Sequence, residues 1–253
     1  MSHLPTVSIV TPSFNSASTI ERCIDAVWAQ RDQVLEHVVV DAGSTDGTVD
    51  ILNKLAAQRP DFLRIDVRRD RGISHGFNRG LDMARGEWIG IVNADDWYAE
   101  GIIGELRPMM LQAGEAILHG RLRQHDPETG QSREVGKLAY DPAKHFKPLR
   151  KMPAQHPTCF VPRTVYDRVG GFSENFRIAM DYDFLQRAHL AGVPFTYVPK
   201  VITNFSLGGV STQAPLAAAR EMFASQVLHQ KQVLVPLMRY LGKRLEIARK
   251  RLS

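Results

Sequence analysis

Three short acidic stretches carry residue types suited to chemistry on a charged substrate. Asp41-Ala-Gly-Ser-Thr-Asp-Gly-Thr48 follows a β-branched run. A carboxylate at a strand end can accept hydrogen bonds from a base N–H or a ribose hydroxyl. Asp41, Ser44 and Asp46 can equally fill a turn and cap the next helix. Asn93-Ala-Asp-Asp96 follows the apolar run WIGIV. There Asp95 is a candidate ligand for Mg2+ or Mn2+, which need only one or two protein carboxylates when phosphates and water complete the shell. Such an ion would neutralise charge on a departing diphosphate; the alternative is a solvated acidic turn. Met180-Asp-Tyr-Asp183 opens a helical pattern. One of its carboxylates can deprotonate a hydroxyl while the other holds the helix, and either also stabilises a helix N-terminus. His156 can contact diphosphate, metal or acceptor, or be structural. Residues 68–71 can set a cation on phosphate and Asp70 near base or ribose, or form a surface charge cluster.

These residues need elements to position them. Residues 7–11, 37–41, 62–67 and 88–92 read as strands, the first and last as buried apolar runs. Between them, Ile20, Cys23, Ile24, Val27 and Trp28 recur at helical spacing after a capping box at Ser18-x-x-Glu21. Residues 48–57 and 75–85 repeat the helical pattern, the latter with Gly86 as its stop. Four strands separated by helices predict a mostly parallel, doubly wound α/β sheet. Ligands on such sheets sit at the carboxyl ends of the strands, and residues 12–15, Asp41, Asp70 and 93–96 all fall there. Beyond Gly114 the pattern loosens. Short strands are predicted at 116–120 and 134–138 around a turn at 126–130, and at 158–161 and 195–198; helices at 181–191 and from 215 onward, broken near Pro236.

Composition narrows the function classes. The 253 residues fit one large domain, or one domain with an appendage. Cys23 and Cys159 are too few for a disulfide framework, and no Cys/His cluster suggests zinc. A reducing cytoplasm is expected. The opening residues lack the basic-then-apolar pattern of a signal peptide, and no run approaches the ~18 apolar residues of a spanning helix. There is no G-x-G-x-x-G and no Walker A motif, which weakens hydride transfer and P-loop phosphoryl transfer. Eight Lys/Arg against two Glu give residues 216–253 a charge of +6, so the rest carries −1 of the total +5. A neutral body with a basic tail argues against nucleic-acid binding.

Taken together, VSIVTPSFN (7–15), VVVDAGSTDGT (38–48), RDRGISHGFNRGLDMARGEWIGIVNADDWY (69–98), HPTCFVPR (156–163), GGFSENFRIAMDYDFLQRA (170–188) and NFSLGGVS (204–211) resemble glycosyltransferase family 2. The resemblance spans roughly residues 5 to 212, and its later segments look like the branch that builds bacterial exopolysaccharides such as colanic acid. It implies a GT-A fold, a Rossmann-like sheet with a small acceptor-side sheet and C-terminal helices. The division it implies is a domain at 1–212, with a nucleotide half (1–98) and an acceptor half (99–212), and a tail at 213–253. It implies inverting transfer of a sugar from a UDP- or GDP-sugar to a hydroxyl of a glycan or lipid-linked acceptor. Pro12, Phe14 and Asp41 would lie on the base and Asp70 on the nucleoside, with Asn15, Gly72, Asn78, Asn93 and Ala94 completing the donor side. Asp95 would hold Mn2+ or Mg2+, since Asn93 stands at the first position of the family's Asp-x-Asp. Asp181 would be the catalytic base, with Met180 replacing the Glu of the Glu-Asp motif. His156, Asp96 and Asp183 are left as candidates for acceptor or diphosphate. His75 stands where relatives often have Asp.

In the tail, Leu234, Met238, Leu241, Leu245, Ala248 and Leu252 form an apolar helical stripe among Lys and Arg. Such a helix can lie on an anionic membrane, suiting a lipid-linked acceptor, or can pack on the body or on a second copy. Two other classes compete. One is a sugar-phosphate nucleotidyltransferase, but the loop TPSFNSAS after the first strand lacks the glycine-rich basic character usual there. The other is a non-catalytic nucleotide-sugar-binding module, which retention of Asp41, Asp95 and Asp181 disfavours.

Overall fold

The structure, a computed structural model, describes residues 3–136, 154–208, 214–230, 233, 236–238 and 240–245. The four expected strands are β1 (Val7–Ser13), β2 (Glu36–Asp41), β3 (Leu63–Val67) and β4 (Trp88–Ile91). They pair in parallel in the order β3-β2-β1-β4, with Val10 opposite both Val38 and Ile91. Helices α1 (Ile20–Trp28) and α2 (Thr48–Gln58) cover one face, where Ile20, Ile24 and Leu52 meet Ile9 and Val39. Helix α3 (Ile73–Met83) covers the other, where Phe77 and Leu81 meet Val10, Val38 and Val40. Alternate residues of each strand thus enter opposite cores, as burial on both faces requires.

The chain continues through β5 (Trp97–Tyr98), α4 (Ile102–Ala113), β6 (Ile117–His125), β7 (Ser132–Val135), a 3-10 turn at His156–Thr158, β8 (Phe160–Pro162), α5 (Arg163–Val169), α6 (Met180–Leu190), β9 (Phe195–Ser206) and α7 (Pro215–Gln230). The nine strands form one sheet, β3-β2-β1-β4-β8-β6-β9-β5, with β7 on the side of β6. The acceptor-side strands join the parallel set through an antiparallel β4–β8 pair. The start of β8 therefore lies beside the end of β4.

Several local expectations are corrected. The Ser18-x-x-Glu21 capping box does not form: α1 starts at Ile20 with no side-chain cap, and the N–H groups of Thr19 and Ile20 donate to the Ser16 carbonyl. Helix α3 ends at Met83, and Gly86 is a packing glycine rather than a stop. Its N–H donates to Ser8 Oγ at 2.8 Å, and a Cβ there would lie 2.5 Å from the Ser8 nitrogen. Strands β6 and β9 are far longer than predicted. β9 runs on through Pro199, which cannot donate to a ladder, opposite a register shift at Gly120. A Cβ on Gly120 would meet the Val198 carbonyl at 2.8 Å, so a glycine there permits the bulge. The predicted strand residues 137 and 138 lie outside the described residues.

The start of the tail is not detached: α7 packs on α6, and Phe223 pairs with Tyr240 at 5.7 Å. Of the apolar stripe, Met238, Leu241 and Leu245 are exposed, while Leu234, Ala248 and Leu252 lie outside the described residues. Among the described residues no helix is long and apolar enough to cross a membrane.

Candidate active site

The loops after β1 and β2 fasten to each other. Asn15 N donates to Ser44 Oγ (2.8 Å), Ser16 N to Thr48 Oγ1 (2.8 Å) and Ala17 N to Asp46 Oδ2 (3.0 Å), while Thr45 N donates back to Asn15 Oδ1 (3.1 Å). Asp46 also accepts from Thr48 N and Oγ1, so it serves the starts of both α1 and α2. These bonds satisfy backbone donors that a helix start leaves open. Asn15 holds φ 48°, the left-handed region that asparagine tolerates. The outcome exposes the Phe14 ring, and Ser13 Oγ is buried there without a partner.

Asp41 is fully buried and turned into its own loop. Oδ1 accepts from Gly43 N (2.9 Å) and Ser44 N (2.7 Å), and Oδ2 from Ser44 Oγ (2.6 Å). The expected direct contact with a base or ribose is therefore replaced by a structural role: Asp41 shapes the loop that closes on Asn15. Asp70 is placed differently. One oxygen accepts from Gly72 N at 2.9 Å, and the other lies 3.1 Å from where Gly76 would carry a Cβ, a point 3.8 Å from Pro12 Cβ. Pro12, Asp70 and Gly76 thus converge, and Gly72, at φ 128°, supplies the turn.

Three donor-side expectations change. Asn78 is a structural tie, its amide donating to Phe172 O (2.8 Å) and accepting from Phe172 N (2.7 Å). Ala94 places its methyl in the core. Arg68 is forked onto Asp66 and Arg71 onto Glu174, so neither guanidinium is presented to a phosphate.

After β4, Asn93 Nδ2 donates to Asp96 Oδ2 (3.2 Å), and Ser206 N donates to Asp96 Oδ1 (3.0 Å). Asp96 is fully enclosed, which corrects its candidacy for direct contact with acceptor or diphosphate. Burial, with the charge of Asp95 second, pushes its carboxyl up to about 8. Asp95 is partly buried, and burial raises it too. Its carbonyl accepts from Arg22 Nη2 and from Ser206 Oγ, each at 2.8 Å, and the Arg22 guanidinium lies 3.9 Å from the Trp97 ring centre. Asn93 Oδ1 is buried without a partner. Two carboxylates held above their ordinary range beside an orphaned amide oxygen fit a hard cation, which would lower both. Among the described residues no cluster of three His, Cys, Asp or Glu could hold a metal alone, so a ligand's phosphates would have to complete the shell.

Asp181 is the second residue of α6. It is partly buried and accepts from Tyr182 N at 2.7 Å. Burial, with the charge of Glu221 as a lesser cause, holds it up at about 6. Its charge acts on Cys159, which stands just before β8, the antiparallel neighbour of β4. Asp183 faces the other way. Its oxygens take Arg187 Nε (2.8 Å), Ser225 Oγ (2.9 Å) and His229 Nε2 (2.7 Å), so it locks α6 to α7 and is not available to acceptor or diphosphate. His156 is likewise reassigned: its ring stacks on Phe77 at 5.3 Å and meets Phe172 edge-on. Burial pushes its pKa down to about 4, so it is neutral and no cation for a diphosphate.

Sequence reading missed Arg22, Ser206 and Glu221. Ser206 lies inside NFSLGGVS, so its motif was visible; Arg22 and Glu221 looked like ordinary surface charges on helices. A separate groove of about 660 Å³, lined by Leu81, Asp82, Arg163, Tyr166 and Asp167 among others, holds none of the carboxylates above.

The sequence profile described as Glycosyl transferase family 2 matches residues 8–170. A PGL/p-HBAD biosynthesis glycosyltransferase of Mycobacterium bovis is 29% identical over 217 residues, covering 82% of this chain and 79% of that one. Among solved structures, S. aureus TarS 1-349 in complex with UDP-GlcNAc superposes with a TM-score of 0.70 at 18% identity, covering 95% of this chain and 73% of that one. The mannosyltransferase PcManGT from Pyrobaculum calidifontis, in complex with GDP-Man and Mn2+, superposes at 0.68 with 20% identity, covering 96% and 69%. These likenesses support the GT-A fold. With strand-end loops, acidic pair and family profile in agreement, the chain belongs to glycosyl transferase family 2 and is a glycosyltransferase.

Proposed function

We propose that this glycosyltransferase moves a sugar from a UDP- or GDP-sugar to a hydroxyl of a glycan or lipid-linked acceptor, inverting the anomeric centre, in polysaccharide or glycolipid synthesis. The observation that supports the reading is Asp95 at the end of β4, together with the charge of Asp181 acting on Cys159, which stands just before the antiparallel neighbour of β4, β8. One relative is named a PGL/p-HBAD biosynthesis glycosyltransferase, and two structural neighbours are in complex with UDP-GlcNAc and with GDP-Man and Mn2+, which supports a nucleotide-sugar donor.

In this reading Phe14 offers its exposed ring to the base, and Pro12 and Asp70 flank the nucleoside. Asp95 would hold Mn2+ or Mg2+, with Asp96 and Asn93 behind it; bound there, the ion would supply charge neutralisation for the diphosphate. Asp181 takes the proton of the acceptor hydroxyl. The acceptor oxygen then forms a bond to the anomeric carbon as the bond to the diphosphate oxygen breaks, and its electron pair leaves with the nucleoside diphosphate. Attack from the opposite face inverts the configuration, with charge developing on the ring as in glycoside hydrolysis.

The test is nucleoside diphosphate release from a panel of nucleotide-sugars with Mn2+ or Mg2+. A transferase releases it slowly without acceptor. Pyrophosphate-dependent turnover would instead indicate a nucleotidyltransferase, and no turnover with retained binding would indicate a binding module. The exposed Met238, Leu241 and Leu245 beside Arg244 support reversible contact with an anionic membrane surface. Deleting residues 234–253 should then reduce co-sedimentation with anionic vesicles; unchanged co-sedimentation rejects that part.

A further inference from the structure

Helix α6 carries Asp181 but has no cap of its own: Ala179 stands at its N-cap, and no side chain of the local chain bonds there. The N–H groups leading into it converge instead on one carboxylate 42–44 residues away. Glu221 of α7 accepts from Arg177 N (3.1 Å to each oxygen), Ile178 N (2.7 Å) and Ala179 N (2.8 Å). Further along α7, Ser225 and His229 bond Asp183, and Gln226 Nε2 donates to the Tyr182 hydroxyl at 2.5 Å. Glu221, Ser225 and His229 recur every four residues, so one helix face reaches from the lead-in at residues 177–179 to Asp183 in the first turn of α6. A carboxylate on free N–H groups at a helix start satisfies open donors and complements the dipole. Glu221 lies well beyond residues 8–170, the span of the family profile.

We propose that Glu221 is a positioning residue for transfer: it caps α6 from outside and fixes the turn on which Asp181 meets the acceptor. The proposal rests on the reading of Asp181 as the base. Two titratable groups face Asp181 from neighbouring elements. Glu221 on α7 adds repulsion that favours the protonated form, and the Cys159 thiol, itself pushed above its ordinary range by burial, faces it from the strand side.

The test compares Glu221→Ala, Glu221→Gln and Asp181→Asn in the full chain, with folding followed by circular dichroism and donor binding by calorimetry. Glu221→Ala should fold and bind donor with near-normal affinity but lose about 10²-fold in kcat, the order expected when a catalytic group is displaced by about 1 Å. Glu221→Gln keeps an acceptor oxygen and loses the charge. It should recover most of the rate while the acid limb of its pH profile moves to lower pH, because Asp181 then ionises more readily. A folded Glu221→Ala with unchanged kcat overturns the proposal, as does a kcat loss matched by lost donor affinity. If the alanine variant fails to fold, the glutamine variant decides: an unshifted acid limb overturns the proposal. Near-normal activity in Asp181→Asn would mean that the base assignment has failed. An inactive Asp181→Asn beside wild-type-like Glu221 variants would mean that only the positioning role has failed.

Discussion

The loops after β1 and β2 and the first turn of α6 both carry acidic groups, yet they are held by different parts of the chain. The loops hold each other: Asn15, Ser44, Asp46 and Thr48 bond across two adjacent parallel strands, with Asp41 buried beneath. The α6 turn borrows its support from α7, whose Glu221, Ser225 and His229 lie outside the family-matched span. The proposed donor loops and the proposed base are thus built on separate supports, and damage to one need not reach the other.

The largest effect should come from Asp181→Asn. Loss of a general base reduces kcat by about 10²- to 10⁴-fold, while calorimetry should show donor affinity unchanged; a parallel fall in affinity would break the separation. Before mutation, the acid limb should inflect near 6, because burial holds Asp181 at about 6 and only its ionised form accepts the proton. Rate therefore falls as pH drops below that value, and the limb should vanish in the variant. Stability runs the other way. The folded pKa lies above the ordinary 3.8, so the contribution of Asp181 to stability is complete below 3.8 and is lost as pH rises through about 6.

Next in size, Asp95→Asn should lower kcat by about 10²-fold, because a Lewis acid supplies several kcal/mol to a departing charge. A metal titration of the rate should lose its saturation. If the rate and its metal response both survive, Asp95 is not the ligand. The smallest effect should come from Asp41→Asn, which leaves a buried amide where a carboxylate accepted three bonds. Melting should show a loss of about 1–3 kcal/mol, accompanied by a higher donor KM and an almost unchanged kcat. A large fall in kcat would mean that the donor loops and the base share one support after all.

Sequence reading reached the donor side further than the acceptor side for a physical reason. Parallel strands buried on both faces appear as apolar runs, and the loops at their carboxyl ends follow directly, so the places of Asp70 and Asp95 in the fold are legible from local order. Even there, a carboxylate at a strand end did not reveal that Asp41 would turn inward, because that depends on the glycine and serine just after it. In the second half, only 195–198 reads as strand whereas β9 runs to Ser206, because the bulge that admits Pro199 lies opposite Gly120 on another strand. Asp183 and Asn78 looked like site residues because their types suited a polar ligand; apart from Arg187, the partners that hold them, Ser225, His229 and the Phe172 backbone, lie at least 42 residues away. Glu221 left no local trace, because its function exists only once α7 has docked.

Trp97, pinned between the Arg22 guanidinium and the His125 ring at 4.9 Å, gives the enzyme an optical reporter of its own. Of the three tryptophans, Trp88 is buried in the core and Trp28 packs half-buried against it under Arg31 and Arg59, whereas Trp97 is two residues from Asp95 and shares Arg22 with its carbonyl. Any shift of that carbonyl alters the cation above the indole, so emission should change when a nucleotide-sugar and a divalent ion bind together. The change should disappear in Trp97→Phe, allowing occupancy to be followed by fluorescence without a label and before any acceptor is known.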